Sequence, residues 1–374
     1  MQPANSSRCA QTIKVDYTMT QNEDLLRNRF IELASLLKDF LNGIYEEPEL
    51  ICEISCQLEN VLKNCDSISY NERGASEAYA IVHFLDRFHR FQLIYRALDE
   101  QKIMPMPKRK IDILDVGTGP GPSMFALSDF YKNKIEELNI ENMSFNIDYV
   151  ERSESFRNWL HHFTEYVNAY TLSKKKWDVP YHHGSFLDFK DLEFNQSQAH
   201  FNDWGDGRTY VKYYVKKYRF DLIIFSNFLT TKEQVNNFSE EIIKCMQFLR
   251  NKGRFIVVGA RSSSEKYKEV YDAISEILLK ENFNNWKFVA GCRKTKINPH
   301  IFSYSWSDVY GTELKSVIRQ FNEKIQLIKD NPISSDIKKK LDRTIEPSYD
   351  KNIEWEVHIF TKYAKPRDRS KKRT

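Results

Sequence analysis

The sequence has few glycines and prolines and no long apolar run. It contains 12 glycines and 11 prolines in 374 residues, which excludes collagen-like and low-complexity architectures. No apolar stretch approaches the roughly 18 residues of a membrane span, and the first twenty residues lack a signal-peptide apolar block. We therefore expect a cytoplasmic protein with no membrane segment.

An excess of charge of one sign is also missing. Lys and Arg number 56 against 52 Asp and Glu, and this balance by itself does not indicate a nucleic-acid-binding protein. The six cysteines have no C-x-x-C spacing, so the sequence gives no sign of a zinc site. We expect reduced cysteines that are buried as small hydrophobic residues, and no metal.

Apolar periodicity and helix-breaking residues divide the chain into segments. Three amphipathic helices are predicted before Met104-Pro105-Met106-Pro107, which disfavours helix. Strands and helices then alternate, which is typical of a parallel sheet covered on both faces. The predicted segments are a flexible N-terminus (1–20), a helical N-terminal region (21–107), an α/β core (108–364) with a helical insertion (293–352), and a basic tail (365–374).

The core opens on residues 111–123, which read I-D-I-L-D-V-G-T-G-P-G-P-S. A short apolar strand there gives way to three alternating glycines, Gly117, Gly119 and Gly121. Without a Cβ, the backbone can turn tightly and bring its N–H groups against a ligand at the start of the next helix. This pattern favours a nucleotide-type cofactor. A dinucleotide-dependent dehydrogenase remains an alternative, although its usual spacing is G-x-G-x-x-G.

The order of these parts, with D-V-G-T-G-P-G at Asp115 to Gly121, resembles the class I S-adenosylmethionine-dependent methyltransferases. The resemblance covers residues 111–363 and identifies no subfamily. It implies a Rossmann-like α/β fold with a seven-stranded, mostly parallel sheet, a reversed last strand and helices on both faces. The all-helical region ahead of the core is then expected to act as a lid or in substrate recognition.

The resemblance also implies that S-adenosylmethionine is the cofactor and assigns residues to it. In the glycine loop these are Asp115, Gly117, Thr118, Gly119 and Gly121. Glu151 ends the second strand about 30 residues beyond the glycines, against roughly 20 in dinucleotide folds, and suits both ribose hydroxyls. The alternative for Glu151 is a surface ion pair with Arg152.

Two later segments complete the implied site. Ser185, Phe186 and Asp188 stand where the family holds adenine, and a helix cap is the alternative for Ser185 and Asp188. Asn227 and Phe228 follow the fourth strand, closest to the expected sulfonium, and are the catalytic candidates; simple packing is the alternative for Phe228.

The chemistry needs little from the protein beyond positioning. A sulfonium methyl is already electrophilic, so the protein holds donor and acceptor in line and removes a proton where the acceptor carries one. No general base is named, because paired histidines on loops are more often solvated surface residues. The pairs expected near the ligand edge are His161, His162, His182 and His183. Tyr79, Arg87 and Tyr95 could reach over the cofactor, with a core position as the alternative for Tyr95.

The acceptor is not identified by the sequence. S-N-F-L at Ser226 to Leu229 lacks the proline pair common in amino methyltransferases of DNA bases, so that reaction is disfavoured. Lys212, Lys216, Lys217 and Arg219 alternate with tyrosines and, with the basic tail, make nucleic acid a candidate partner. The balanced overall charge favours a small molecule or a protein. The alternative function is a methyltransferase-like, non-catalytic binding or assembly module that associates with RNA or the ribosome.

Overall fold

The computed structural model is an α/β protein built on one mixed sheet with helices on both faces, which confirms the Rossmann-like α/β class. The structure describes residues 12–13, 21–64, 70–106, 110–140, 144–171, 181–186, 220–226, 228–261, 265–280, 290–294, 300–306, 311–328 and 333–364.

Apolar, β-branched runs form the strands of this sheet. The strands are β1 (Thr12–Ile13), β2 (Lys110–Val116), β3 (Ser144–Val150), β4 (Tyr181–Phe186), β5 (Phe220–Ser226), β6 (Leu249–Ala260), β7 (Ala290–Lys294), β8 (His300–Ser305) and β9 (Asn352–Ala364). Their order is β1-β8-β9-β6-β5-β2-β3-β4, with β7 also paired to β9. Strands β4, β3, β2, β5 and β6 are mutually parallel, whereas β9 runs antiparallel to β6.

In the described part of the chain the sheet has nine strands, where seven were predicted. Part of the difference is that β7 and β8 pair antiparallel with opposite halves of β9, so two short strands occupy one edge position. The other extra strand is β1, which pairs in parallel with β8. Thr12 and Ile13 belong to the span 1–20 that was predicted to be flexible, and they are instead part of the sheet.

Helices follow from the three- and four-residue apolar periodicity. They are α1 (Gln21–Ile44), α2 (Pro48–Asn64), α3 (Ala75–Tyr79), α4 (Leu85–Glu100), α5 (Pro122–Glu137), α6 (Glu154–Thr171), α7 (Lys232–Asn237), α8 (Ser239–Phe248), α9 (Glu265–Lys280), α10 (Gly311–Gln326) and α11 (Ser335–Ile345). A π-helical turn (Ala80–Phe84) joins α3 to α4 without a break. Among the described helices, none is long and apolar enough to cross a membrane.

Two apolar clusters cover the two faces of the sheet. Helices α1 to α6, α10 and α11 contribute to the larger cluster, in which Phe84, Phe125 and Trp355 are buried. Helices α7 to α9 cover the other face, around Phe225 and Phe255. The N-terminal helices are therefore packed onto the core, and Arg29 of α1 pairs with Asp129 of α5 at 2.6 Å.

Helices α7 and α8 meet at Phe238. Two sequence predictions need correction. The predicted helical insertion, 293–352, contains β8 ahead of its two helices. Of the cysteines that the structure describes as free thiols, Cys245 is buried as expected but Cys56 is exposed.

Candidate functional site

The glycine loop lies at the carboxyl end of β2, the strand at which the sheet changes winding direction. β2 pairs with β3 on one side and with β5 on the other, and ligands of doubly wound sheets bind in the crevice at such a point. Gly117, Gly119 and Gly121 have φ angles of 73°, 56° and 92°, which a Cβ would strain. Pro122 then begins α5, where a missing N–H costs nothing.

The three glycines have different surroundings. A Cβ built at Gly117 would stand 2.7 Å from Cβ of Phe228, and one built at Gly121 would overlap Cδ1 of Leu160. At Gly119, no atom of the described residues lies within 4 Å of the Cβ position. The outer glycines are therefore required by packing, whereas the middle one borders open space at the sheet edge.

The Glu151 carboxylate is fixed against this loop. One oxygen, Oε2, accepts a hydrogen bond from the Gly119 N–H at 2.8 Å, and Oε1 accepts one from the Ser153 N–H at 2.8 Å. Burial raises the pKa of Glu151, and the N–H groups of Ser153 and Gly119 act against that rise. The described residues include no ion pair between Glu151 and the exposed Arg152, so the structure gives no support to the surface ion pair considered above.

Asp115 is the next-to-last residue of β2, and its side chain is fully buried. Thr118 Oγ1 donates to Oδ2 at 2.9 Å, and Oδ1 has no hydrogen-bond partner among the described residues. Burial raises the pKa of Asp115 to about 7, and hydrogen bonds from Thr118 and Ser123 limit the rise. A buried carboxylate oxygen without a partner, beside the glycine loop, suits a cationic or hydrogen-bond-donating ligand group.

The remaining implied cofactor residues are described only in part. Ser185 and Phe186 end β4, and Phe186 is in register with Val150 of β3, so this strand ends at the same edge as Glu151. Their side chains are not described. Asp188 and Asn227 lie outside the described residues, as do Lys212, Lys216, Lys217, Arg219 and the tail 365–374.

Phe228 is described and contacts the glycine loop. Its ring centroid lies 5.7 Å from those of Phe225 and Phe238, and its Cβ and ring fill the space beside Gly117. The side chain therefore packs in a small aromatic group and borders the loop, as the packing alternative expects, and the catalytic role of Phe228 stays a prediction.

The candidate histidines are dispersed. His161 pairs with Glu165 at 3.3 Å on α6, and its neighbour His162 is exposed. His182 and His183 belong to β4 rather than to a loop. These positions do not bring the four histidines together at the glycine loop.

Tyr95 occupies the core position that was its alternative. It is fully buried, and its hydroxyl lies 2.8 Å from Ser123 Oγ in the first turn of α5. Burial, followed by the charge of Asp115, raises the pKa of Tyr95 well above its ordinary value. Tyr79 is buried as well, and the Arg87 guanidinium lies 4.9 Å from its ring centroid.

Sequence analysis did not single out Ser123, Ser153 or His83. Ser123 and Ser153 each stand two residues after a named residue, Gly121 and Glu151, and proximity to these was the available signal. His83 was missed because it lies in the π-helical turn, where the apolar periodicity gives no indication of an extra residue.

No protein-family model matches the chain, and comparison with curated proteins also gives no match. Solved structures give weak likenesses. The chain is 12% identical to phosphoethanolamine N-methyltransferase 2 of Haemonchus contortus, with a TM-score of 0.34, covering 83% of this chain and 66% of that one. It is 14% identical to magnesium protoporphyrin IX methyltransferase of Synechocystis, with a TM-score of 0.34, covering 60% and 85%.

A third likeness is to a geranyl diphosphate methyltransferase, at 10% identity and a TM-score of 0.33, covering 78% of this chain and 82% of that one. All three of these proteins are methyltransferases. At TM-scores of 0.33 to 0.34, these likenesses do not decide the function of this chain, which is argued below from its own residues.

Proposed function

We propose that this protein is an S-adenosylmethionine-dependent methyltransferase acting on a small molecule or a protein. The observation that carries the proposal is the arrangement of Gly119 and Glu151, a fixed carboxylate at the end of β3 beside an open position of the glycine loop. The reversed β9 between β6 and β8 agrees with the methyltransferase sheet order rather than with an all-parallel dinucleotide fold.

The residues present fit this cofactor. Glu151 already accepts hydrogen bonds from two N–H groups, and each oxygen has further lone pairs for ribose hydroxyls. Asp115 Oδ1 supplies a buried acceptor for the ammonium group of the methionine portion. We assign adenine to the region of Ser185, Phe186 and Asp188, and the methyl-transfer edge to Asn227 and Phe228.

The bound cofactor would supply an electrophilic methyl group. The protein's own contribution is to hold the reacting groups and to exclude water. The continuous helix formed by α3, the π-turn and α4 begins beside the start of α6, a few residues beyond Glu151, because Ser76 Oγ lies 2.7 Å from Ser155 Oγ. This helix is suited to cover the acceptor side of the site.

Thermal melts with S-adenosylhomocysteine test the proposal directly. A ligand at 100 times its Kd stabilises a protein by about 2.7 kcal/mol, which is a rise of several degrees in Tm. We expect this rise with S-adenosylhomocysteine and none with a nicotinamide dinucleotide. No rise at a saturating concentration would overturn the proposal, and a rise with the dinucleotide alone would favour a dehydrogenase.

The acceptor class is tested by transfer of a labelled methyl group to fractionated lysate. The near balance of 56 basic and 52 acidic residues favours a small molecule or a protein over nucleic acid. We therefore expect label in the small-molecule or the protease-sensitive fraction. Label released by nuclease would contradict this choice and would direct attention to Lys212, Lys216, Lys217, Arg219 and the basic tail.

A further inference from the structure

His83 lies in the π-helical turn between α3 and α4, with one ring nitrogen turned inward. Nε2 of His83 is buried and has no hydrogen-bond partner among the described residues. The imidazole packs against the Tyr79 ring, with centroids 5.1 Å apart. A π-turn adds a residue to a helix turn and re-aims the side chains on it, and such turns are frequent at functional sites.

Asp86, three residues further on, anchors this turn to the sheet. Its Oδ1 accepts hydrogen bonds from the Tyr304 hydroxyl and, at 3.2 Å, from Trp306 Nε1. Trp306 directly follows β8, which pairs antiparallel with β9 and therefore runs in the same direction as β2. The carboxyl end of β8 thus lies at the same sheet edge as the glycine loop.

The residues of the turn and of α3 also contact helices that begin near the glycine loop. Phe84, next to His83, has its ring centroid 5.7 Å from that of Phe125, which is in the first turn of α5. Tyr79 packs against Phe156 of α6 with centroids 5.1 Å apart. His83 is therefore held between the helices that start at the ligand edge and the end of β8.

The charged groups facing His83 come from its own helix and from the chain just before β9. They are Arg87, Lys351, Asp86 and Arg90, in that order of influence on its pKa. Burial is the largest cause and lowers the pKa of His83 well below its ordinary value, so the imidazole is neutral at pH 7. The three cations lower the pKa further, whereas the Asp86 carboxylate acts against them. Arg90 pairs with Asp86 at 3.3 Å, and Lys351 Nζ lies over the Trp306 ring at 5.4 Å.

We propose that His83 is the general base of methyl transfer and that the acceptor binds beside the π-turn, at the glycine-loop edge of the sheet. This proposal rests on the function proposed above. The acceptor is of a class whose nucleophilic oxygen or nitrogen carries a proton at neutral pH. Its X–H proton passes to His83 Nε2 and later to solvent. The X–CH₃ bond forms as the S–CH₃ bond breaks, and the electron pair of that bond stays on sulfur, which becomes a neutral thioether.

The test compares His83→Gln and His83→Ala with His162→Gln, a matched change at an exposed histidine of α6. General bases contribute about 10² to 10⁴-fold, so we expect His83→Gln to lose at least about 100-fold of labelled methyl transfer to lysate. Its melting shift with S-adenosylhomocysteine should persist, since His83 is not assigned to the cofactor. Imidazole added to His83→Ala should restore part of the transfer, which a purely structural role would not allow.

Separate outcomes distinguish this proposal from the one on which it rests. If the wild-type chain shows no shift with S-adenosylhomocysteine, the proposed function itself fails. If the shift is present and His83→Gln transfers methyl within twofold of wild type, His83 is not the base. A His83 imidazole that is protonated at pH 7 in the S-adenosylhomocysteine complex, measured by histidine NMR, would likewise overturn the proposal.

Discussion

The Gly119 N–H donates to Glu151 Oε2 at 2.8 Å and so joins the ends of two neighbouring strands, β2 and β3. This bond fixes both the middle of the glycine loop and the carboxylate that we assign to ribose. Burial raises the pKa of Glu151, so a ligand that donates further hydrogen bonds to the carboxylate stabilises its charged form.

Alanine substitutions at Gly119 and Gly121 should distinguish a glycine that packing requires from one that borders space for a ligand. Gly121→Ala would overlap Leu160 Cδ1, whereas Gly119→Ala meets no described atom within 4 Å. We expect Gly119→Ala to lower the free energy of unfolding by about 1 to 2 kcal/mol, the cost of a left-handed conformation. Gly121→Ala should cost clearly more in urea denaturation. Equal losses at the two positions would contradict the assigned difference in surroundings.

Gly117 and Phe228 should be energetically coupled. Gly117→Ala places a Cβ 2.7 Å from Phe228 Cβ, in addition to the strain of its φ of 73°. In a Phe228→Ala background the clash with the ring, whose Cδ2 also lies 2.7 Å away, is removed, while the contact with Cβ and the backbone strain persist. A double-mutant cycle on urea unfolding should therefore show a coupling of about 0.5 to 3 kcal/mol, with Gly117→Ala less harmful beside Phe228→Ala. Additive effects would show that the contact is absent.

Glu151→Gln should weaken the binding of S-adenosylhomocysteine. The amide NH₂ would face one of the two N–H donors, Gly119 or Ser153, and the charge that strengthens the hydrogen bonds to ribose would be lost. Charge-assisted bonds contribute about 1.5 to 3 kcal/mol, so Kd should rise roughly 10- to 150-fold. Glu154→Gln, at an exposed position of α6, is the control and should leave Kd unchanged in calorimetry.

The buried carboxyl group of Asp115 should make the free energy of unfolding depend on pH. Burial raises its folded-state pKa to about 7, above the roughly 3.9 of an unfolded Asp. The folded state then holds more protons between these values, so the free energy of unfolding falls as pH rises through this window. The slope from one group is at most about 1.4 kcal/mol per pH unit.

Urea unfolding of Asp115→Asn between pH 4 and 7 checks this. We expect the variant to lose the downward slope that Asp115 contributes, while the exposed-site control Asp272→Asn keeps the wild-type slope. An Asp115→Asn protein whose stability falls with pH as steeply as wild type would show that Asp115 does not titrate in this range.

Local patterns predicted the parts of the fold that depend on local chemistry. The apolar run before Gly117 and the alternating glycines correctly indicated β2, the loop and the start of α5. Strand pairing is not local, which is why the placing of β1 beside β8 and the division of one edge between β7 and β8 were missed.

The sequence also indicated some of the candidate site residues but not all of them. Asp115 and Glu151 were assigned from the resemblance to class I methyltransferases, and the structure places both at strand ends on one edge of the sheet. His83 was not found, since its importance depends on the π-turn and on Tyr304 and Trp306, more than 200 residues later in the chain. The placings of Asp188 and Asn227 remain predictions.

Calorimetric titration with S-adenosylhomocysteine is the most direct test of the central claim. We predict saturable binding to one site on the wild-type chain, and none to Gly119→Asp, whose side chain would occupy the open position beside Glu151. Gly43→Asp, at a glycine that also has no atom of the described residues near its Cβ position, is the control and should bind as wild type. No binding by the wild-type chain, or unchanged binding by Gly119→Asp, would contradict the account.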